Sequence, residues 1–445
     1  VPATDRSAEL ADLRARIEAL EAKAAAEPAH PNVRGEALFG PSPPTTSFDA
    51  SPWSRVWTRG LSISGYVQPQ YQHSQLSSDQ ISADGAALNQ DRFLLRRARL
   101  RVDRGWDFAF ATIEVDGNNA NGLAFGLRRT EGVLLWRAKD PSAPPYIALR
   151  AGLTDIPFGY EIYEPNRTRL FLERTTGGRA IFPGDTDFGA QISGAFGVFR
   201  YALGVFDGTP VPDTQPSAAG VDLTSEKDFM ARLGAETQPT KIVGMGGGAS
   251  FVNGTGLHEG TVATKPSLQW SDLGGTGVVT SGSITGLPGQ AATPSVTFSR
   301  WAVGADLQLR INTPIGRGIV YGEVFVASNY DRGLLVADPV ASGVSLREVG
   351  WYVAYAQEVT KWGLVGLRVD AYNPNGDATA QRGSSLLPVD QTITTWSPIV
   401  GLVLPERARL VFEYDRVLNH SGISATGVPT ELAEDQWALR LQVEM

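Results

Sequence analysis

The sequence predicts an all-β transmembrane fold: a 16-stranded antiparallel outer-membrane β-barrel with an inward-folded third loop, preceded by a short N-terminal α-helical coiled-coil segment. Three observations predict it. Apolar and polar residues alternate with period two in segment after segment from Leu61 to the end. The connections between these segments alternate between short turns and long loops, as they do when one rim of a barrel carries turns and the other carries loops. No stretch of eighteen apolar residues occurs, so spanning helices are excluded while spanning strands are not.

Residues 1–27 differ from the rest. Leu10, Leu13, Ile17 and Leu20, followed by Ala24, keep an a/d seam in a segment rich in Ala, Glu and Arg. A helix this short is marginal alone in water, so it calls for partners, either copies of itself or another envelope component. It can equally lie on its own protein as a single amphipathic helix. The opening residues VPATDRS lack the basic and apolar regions of an export signal, which reads as a signal already removed. Residues 28–60 form a Pro-rich linker, and residues 61–445 the barrel.

The strands are expected at 61–72, 92–103, 106–116, 131–138, 146–154, 186–196, 198–207, 228–238, 241–252, 297–312, 316–329, 346–358, 362–372, 393–404, 407–417 and 434–445. In the tenth, Trp301, Val303, Leu307 and Leu309 share a face opposite Asp306, Gln308 and Arg310. The last sets Trp437, Leu439, Leu441 and Val443 against Gln436, Arg440 and Gln442. One face is oily and one wet, over strands long for a soluble sheet. Long loops are expected at 73–91, 117–130, 155–185, 208–227, 253–296, 330–345, 373–392 and 418–433. An even strand count puts both chain ends on the short-turn side, the periplasm.

The third long loop, about 155–185, carries Glu161, Glu164, Arg167, Arg169, Glu173, Arg174 and Arg179. Pro157, Pro165, Pro183 and the Gly177–Gly178 pair keep it from becoming a strand or a long helix. A loop of this length in a β-rich chain is usually functional. It is expected to fold into the barrel and narrow the bore.

By parity the wet face lines the lumen. There Arg97, Arg99 and Arg101 form a column with a spacing of about 6.6 Å per two residues, and Arg150, Arg407 and Arg409 join them. Guanidinium forks suit oxyanions, and the same arginines can instead pair with the loop glutamates and hold the loop. Arg96 either points toward lipid or marks a bulge.

Charged residues are only 19% of the chain and the net charge is −8, which argues against nucleic acid as a partner. There is no cysteine, so thiol catalysis and cysteine-based metal sites are excluded. His73, His258 and His420 fall in or beside long loops, with no G-x-S-x-G or H-E-x-x-H around them. Neither an enzyme, a metal site nor a cofactor is expected.

The segments RFLLRRARLRVD, YIALRAGLTDIPFGYE, FLERTTGG, FPGDTDFGAQISG and YALGVFDGTP resemble the phosphate-selective porins O and P of Gram-negative outer membranes, best over residues 61–207. The resemblance implies a homotrimer of sixteen-stranded barrels in outer-membrane lipid, with the third loop folded inward. It also implies an arginine ladder, carried here by Arg97, Arg99 and Arg101. The family's clustered lysines have no counterpart, since the six lysines of this chain are scattered. The expected function is passive diffusion of small hydrophilic solutes with a modest preference for anions, phosphate and other oxyanions among them. The alternative is an envelope tether whose N-terminal helix binds peptidoglycan or a periplasmic partner.

Overall fold

The computed structural model describes residues 61–75, 91–120, 122–136, 144–213, 222, 224–240, 242–271, 283–359, 362–382, 384–404, 408–420, 422–423, 429–432 and 434–445. The candidate coiled-coil seam (Leu10, Leu13, Ile17 and Leu20), the linker and Arg407 lie outside them.

Sixteen strands close into one antiparallel barrel. In chain order they are β1 (Leu61–Ser74), β2 (Asp91–Gly105), β3 (Ala109–Asn118), β4 (Ala124–Trp136), β5 (Ile147–Asp155), β6 (Thr186–Phe196), β7 (Phe199–Phe206) and β8 (Asp228–Thr237). Then follow β9 (Val243–His258), β10 (Val296–Thr313), β11 (Gly316–Ser328), β12 (Arg347–Val359), β13 (Gly363–Asn373), β14 (Ile393–Leu404), β15 (Ala408–Asn419) and β16 (Gln436–Glu444). Each pairs with its chain neighbour, and β1 pairs with β16 through Tyr66↔Glu444 to Ser74↔Gln436. Closure leaves no sheet edge, so the barrel strands meet their backbone hydrogen-bonding needs among themselves, as hydrocarbon requires.

All sixteen expected strands are present, with two departures in length. β4 begins at Ala124 rather than 131, so the expected long connection 117–130 shrinks to residues 119–123. The run AFGLRRTEG breaks strict alternation because β4 is bulged: Glu114 pairs with Arg129 and Val115 with Leu127, leaving Arg128 as the extra residue. β9 runs on to His258, six residues past its expected end, because Asn253–His258 find partners in Val296–Trp301 despite weak strand propensity.

The outer face is apolar. Ile63, Val67, Leu149, Leu233, Val324, Val353 and Leu402 are among its exposed side chains, and their strand neighbours point inward and are largely buried. Aromatic residues gather at both rims. Tyr71, Phe93, Phe412 and Trp437 cluster near the long loops, with ring centroids 4.7–5.9 Å apart. Tyr146, Phe196 and Tyr201 stack near the short turns. Such belts mark the two interfaces of a bilayer with water.

This arrangement predicts a depth-dependent cost on the outer face. Val353, exposed in mid-strand on β12, should cost about 2–4 kcal/mol when changed to Arg, measured by urea unfolding in lipid vesicles. The same change at Leu386, exposed in the loop hairpin Thr379–Arg382/Ser385–Pro388, should cost close to nothing.

Candidate constriction site

The chain leaves β5 at Asp155 and turns into the barrel. Ile156, Phe158, Ile162, Ile181 and Phe182 of the loop are buried against an apolar strip of the inner wall made by Phe206, Met230, Val252, Ala302, Phe325 and Tyr372. Further along, Leu170, Phe171 and Leu172 pack on Tyr321, Tyr352, Ile399, Val403 and Val411. At roughly 1.5–3 kcal/mol per fully buried large apolar side chain, these contacts are the main force that keeps the loop inside. A short helix α1 (Thr176–Ile181) forms within it, capped by Thr175, whose Oγ1 accepts from Gly178 N at 3.1 Å.

Polar contacts fix where the loop sits. Its peptide groups are withdrawn from bulk water and need partners, and the wall supplies them by charge type. Wall carboxylates take amides: Glu323 Oε2 accepts from Tyr160 N (3.0 Å) and Glu161 N (3.2 Å), Glu413 Oε2 from Leu172 N (2.8 Å), and Asp370 Oδ1 from Thr176 N (3.2 Å). Wall arginines take carbonyls: Arg409 donates to Arg167 O (2.7 Å), Arg368 to Glu173 O (2.7 Å), and Arg440 to Leu172 O (2.6 Å). Gly159, at φ +60°, lets the backbone close on Glu323, since a Cβ there would fall on that carboxylate.

Two bulges load the wall facing the loop with arginine. β1 pairs Gln68 with Arg97 and Pro69 with Leu95, so Arg96 is the extra residue of β2. Arg96 therefore turns inward beside Arg97, and both grip Glu173: Arg96 at 2.6 and 2.8 Å, Arg97 at 3.0 and 3.3 Å. Arg440 reaches the same carboxylate at 2.5 Å. Burial opposes ionisation of Glu173, but the three guanidiniums override it and hold its carboxyl well below the usual range. The second bulge sets Arg128 beside Arg129. Arg128 meets Asp185 and Asp213, and Arg129 meets Asp155. Asp213 comes from the connection after β7 and also takes Arg174 at 2.9 Å.

Each arginine of the expected column reaches a carboxylate. Arg97 answers the loop through Glu173, whereas Arg99 meets Glu114 (3.4 Å) and Asp116 (3.7 Å) of the wall, and Arg101 meets Asp103 (2.8 Å). Arg150 faces Glu131 at 3.4 Å. In the loop, Glu161 accepts from Thr175 N and Oγ1 and lies 3.7 Å from Arg368. Arg167 lies 3.7 Å from Glu444, Arg169 is buried against Asn166 and main-chain carbonyls, and Arg179 is exposed. Burial, with Glu161 nearby, pushes the Glu164 carboxyl up to about 7, against the pull of Arg169, Arg409 and Arg310.

Sequence reasoning missed Arg128, Arg129 and Asp213, and it missed the apolar strip. The strip was visible as Phe325 and Tyr372 at wet-face positions of otherwise regular strands. Asp213 carried no signal, because nothing in 208–227 marks it as folding back. His73 pairs with Asp91 (2.7 Å) and His258 with Asp338 (2.6 Å) at the loop rim. Among the described residues no group of His, Asp and Glu is arranged to hold a metal.

No protein-family model matches the chain, and no curated protein does. Solved structures do. OprB of Pseudomonas putida aligns over 90% of this chain and 99% of its own, at 9% identity and a TM-score of 0.53. The outer membrane channel DcaP of Acinetobacter baumannii aligns over 87% of this chain and 97% of its own, at 10% identity and a TM-score of 0.51. At such identities the likeness is one of fold, and the fold is that of a closed 16-stranded antiparallel outer-membrane β-barrel.

Proposed function

We propose that the chain is a passive diffusion channel of the Gram-negative outer membrane, passing small hydrophilic solutes with a modest anion preference. The observation that carries this reading is the loop held across a closed barrel, with charged side chains of both signs around it. Arg96, Arg97, Arg128 and Arg129 stand on one wall, and the exposed Arg179 stands on the loop. A charged constriction of this kind filters solutes by charge. The preference is modest because carboxylates answer most of the guanidiniums, and a paired arginine offers an anion little net field. A dedicated phosphate site would need free donors in convergent geometry, and phosphate is therefore one permeant oxyanion among several. Three copies make the functional unit in this reading, joined through the a/d seam that the sequence offers at Leu10, Leu13, Ile17 and Leu20.

Planar-bilayer recordings under a KCl gradient test the channel and its sign together. Discrete conductance steps with a small reversal potential toward anions are expected, and a preparation that never conducts sinks the reading. Glu173→Gln removes the charge that answers Arg96, Arg97 and Arg440, so the reversal potential should move further toward anions.

A second outcome concerns pH. With its carboxyl pushed up to about 7, Glu164 is neutral below that pH and charged above it. Lowering pH from about 8 to about 6 should therefore increase anion preference, and Glu164→Gln should abolish that step. Deleting residues 1–60 should convert trimers to monomers on size-exclusion chromatography in detergent. Intact trimers that lose their attachment to the envelope would favour tethering instead.

A further inference from the structure

The wall is not all that holds the third loop, for the connection between β11 and β12 reaches it as well. Asn329, at φ +56° the one non-glycine residue with a positive φ among the described residues, starts this connection, and its Oδ1 accepts from Leu346 N at 2.8 Å. The next two residues are pinned to the inner wall. The fully buried Tyr330 donates from its hydroxyl to Asp228 Oδ2 of β8 at 3.1 Å. Tyr330 N and Asp331 N both donate to Glu348 Oε1 of β12, at 2.9 and 3.2 Å. Asp331 Oδ2 accepts from the Tyr372 hydroxyl of β13 at 2.7 Å.

The residues that follow grip the end of α1. The last carbonyls of a helix have no partner within it. Here Ala180 O accepts from Arg332 N (2.8 Å) and Gly333 N (2.9 Å), and Ile181 O accepts from Arg332 Nε (3.2 Å) and Nη2 (3.1 Å). Arg332 Nη1 reaches on to Gly208 O at 2.8 Å, in the connection that also supplies Asp213. The guanidinium lies over two rings, 5.0 Å from the Phe182 centroid and 4.5 Å from that of Tyr330. Gly333 passes so close to the helix that a Cβ on it would collide with Arg179 O. Beyond it Leu334, Leu335 and Val336 are exposed.

We propose that residues 329–333 are a strap that fixes α1 inside the barrel, with Arg332 as a positioning residue of the constriction. Apolar burial is non-directional, so Ile181 and Phe182 keep the loop inside without fixing where α1 stands. The directed bonds to Ala180 O and Ile181 O do that, and the exposed Arg179 of α1 is held in place with them. The strap belongs to a connection on the long-loop side, so the constriction is tied to a segment that opens to the exterior. The effect on conduction rests on the channel reading above, whereas the clamp on α1 does not.

Two variants of the full chain release the strap by different means. Arg332→Lys keeps the charge and loses the planar fork that spans Ile181 O and Gly208 O. Gly333→Ala forces the strap off Arg179 O with no change of charge. Hydrogen exchange of the detergent-folded protein should show residues 176–183 exchanging about tenfold faster in both variants, with the barrel strands unchanged. In planar bilayers both should give a larger and less steady single-channel conductance than the wild type. Wild-type exchange at 176–183 in both variants overturns the strap. Unchanged conductance where that exchange is raised overturns the positioning role of Arg332. A wild type that never conducts sinks the channel reading alone, and the exchange rates then decide the strap.

Discussion

A peptide chain drawn into the interior of a barrel brings its amides and carbonyls with it, and each needs a partner once bulk water is left behind. That requirement shapes the inner wall. Carboxylates at Glu323, Asp370 and Glu413 face loop amides, and guanidiniums at Arg368, Arg409 and Arg440 face loop carbonyls. Much of the charge on the lumenal face thus serves the loop's backbone. Apolar burial around Phe158, Phe182 and Phe171 supplies most of the holding energy, and the charged contacts set the register. The two kinds of contact divide the labour of holding and placing.

The same constraint explains why the wall is so nearly balanced in charge. Two bulges bring Arg96 beside Arg97 and Arg128 beside Arg129, four guanidiniums on β2 and β4. Such a concentration is stable only with answering carboxylates, and Glu173, Asp185 and Asp213 provide them from the loops and Asp155 from the end of β5. Loop and wall are therefore electrostatically complementary halves of one site. Removing any one acid exposes guanidinium charge to the bore.

Much of this was legible in the residues. Period-two alternation marked every strand, because only a wall with oil on one side and water on the other keeps that pattern over so many segments. The third loop stood out through its length, its prolines and its charges. The arginine column followed from parity at Arg97, Arg99 and Arg101. What escaped depends on geometry that pattern does not encode. A bulge looks like noise in an alternation, so Arg96 stayed undecided and Arg128 was assigned to a loop. Glu173 was visible as a candidate partner for the column, but its grip on Arg96, Arg97 and Arg440 together follows from closure of β16 onto β1. Asp213 depends on a connection folding back, which no local signal announces.

The loop's partners lie far away along the chain. Leu172 N waits for Glu413, 241 residues later, and Glu173 waits for Arg440, 267 residues later. A chain assembling from its N-terminus makes the loop long before the strands that receive it, and contacts of such separation are slow to form. The last strand both zips the barrel shut against β1 and delivers Arg440 to the loop. Sealing the wall and setting the constriction are consequently one event, and a half-assembled barrel has neither.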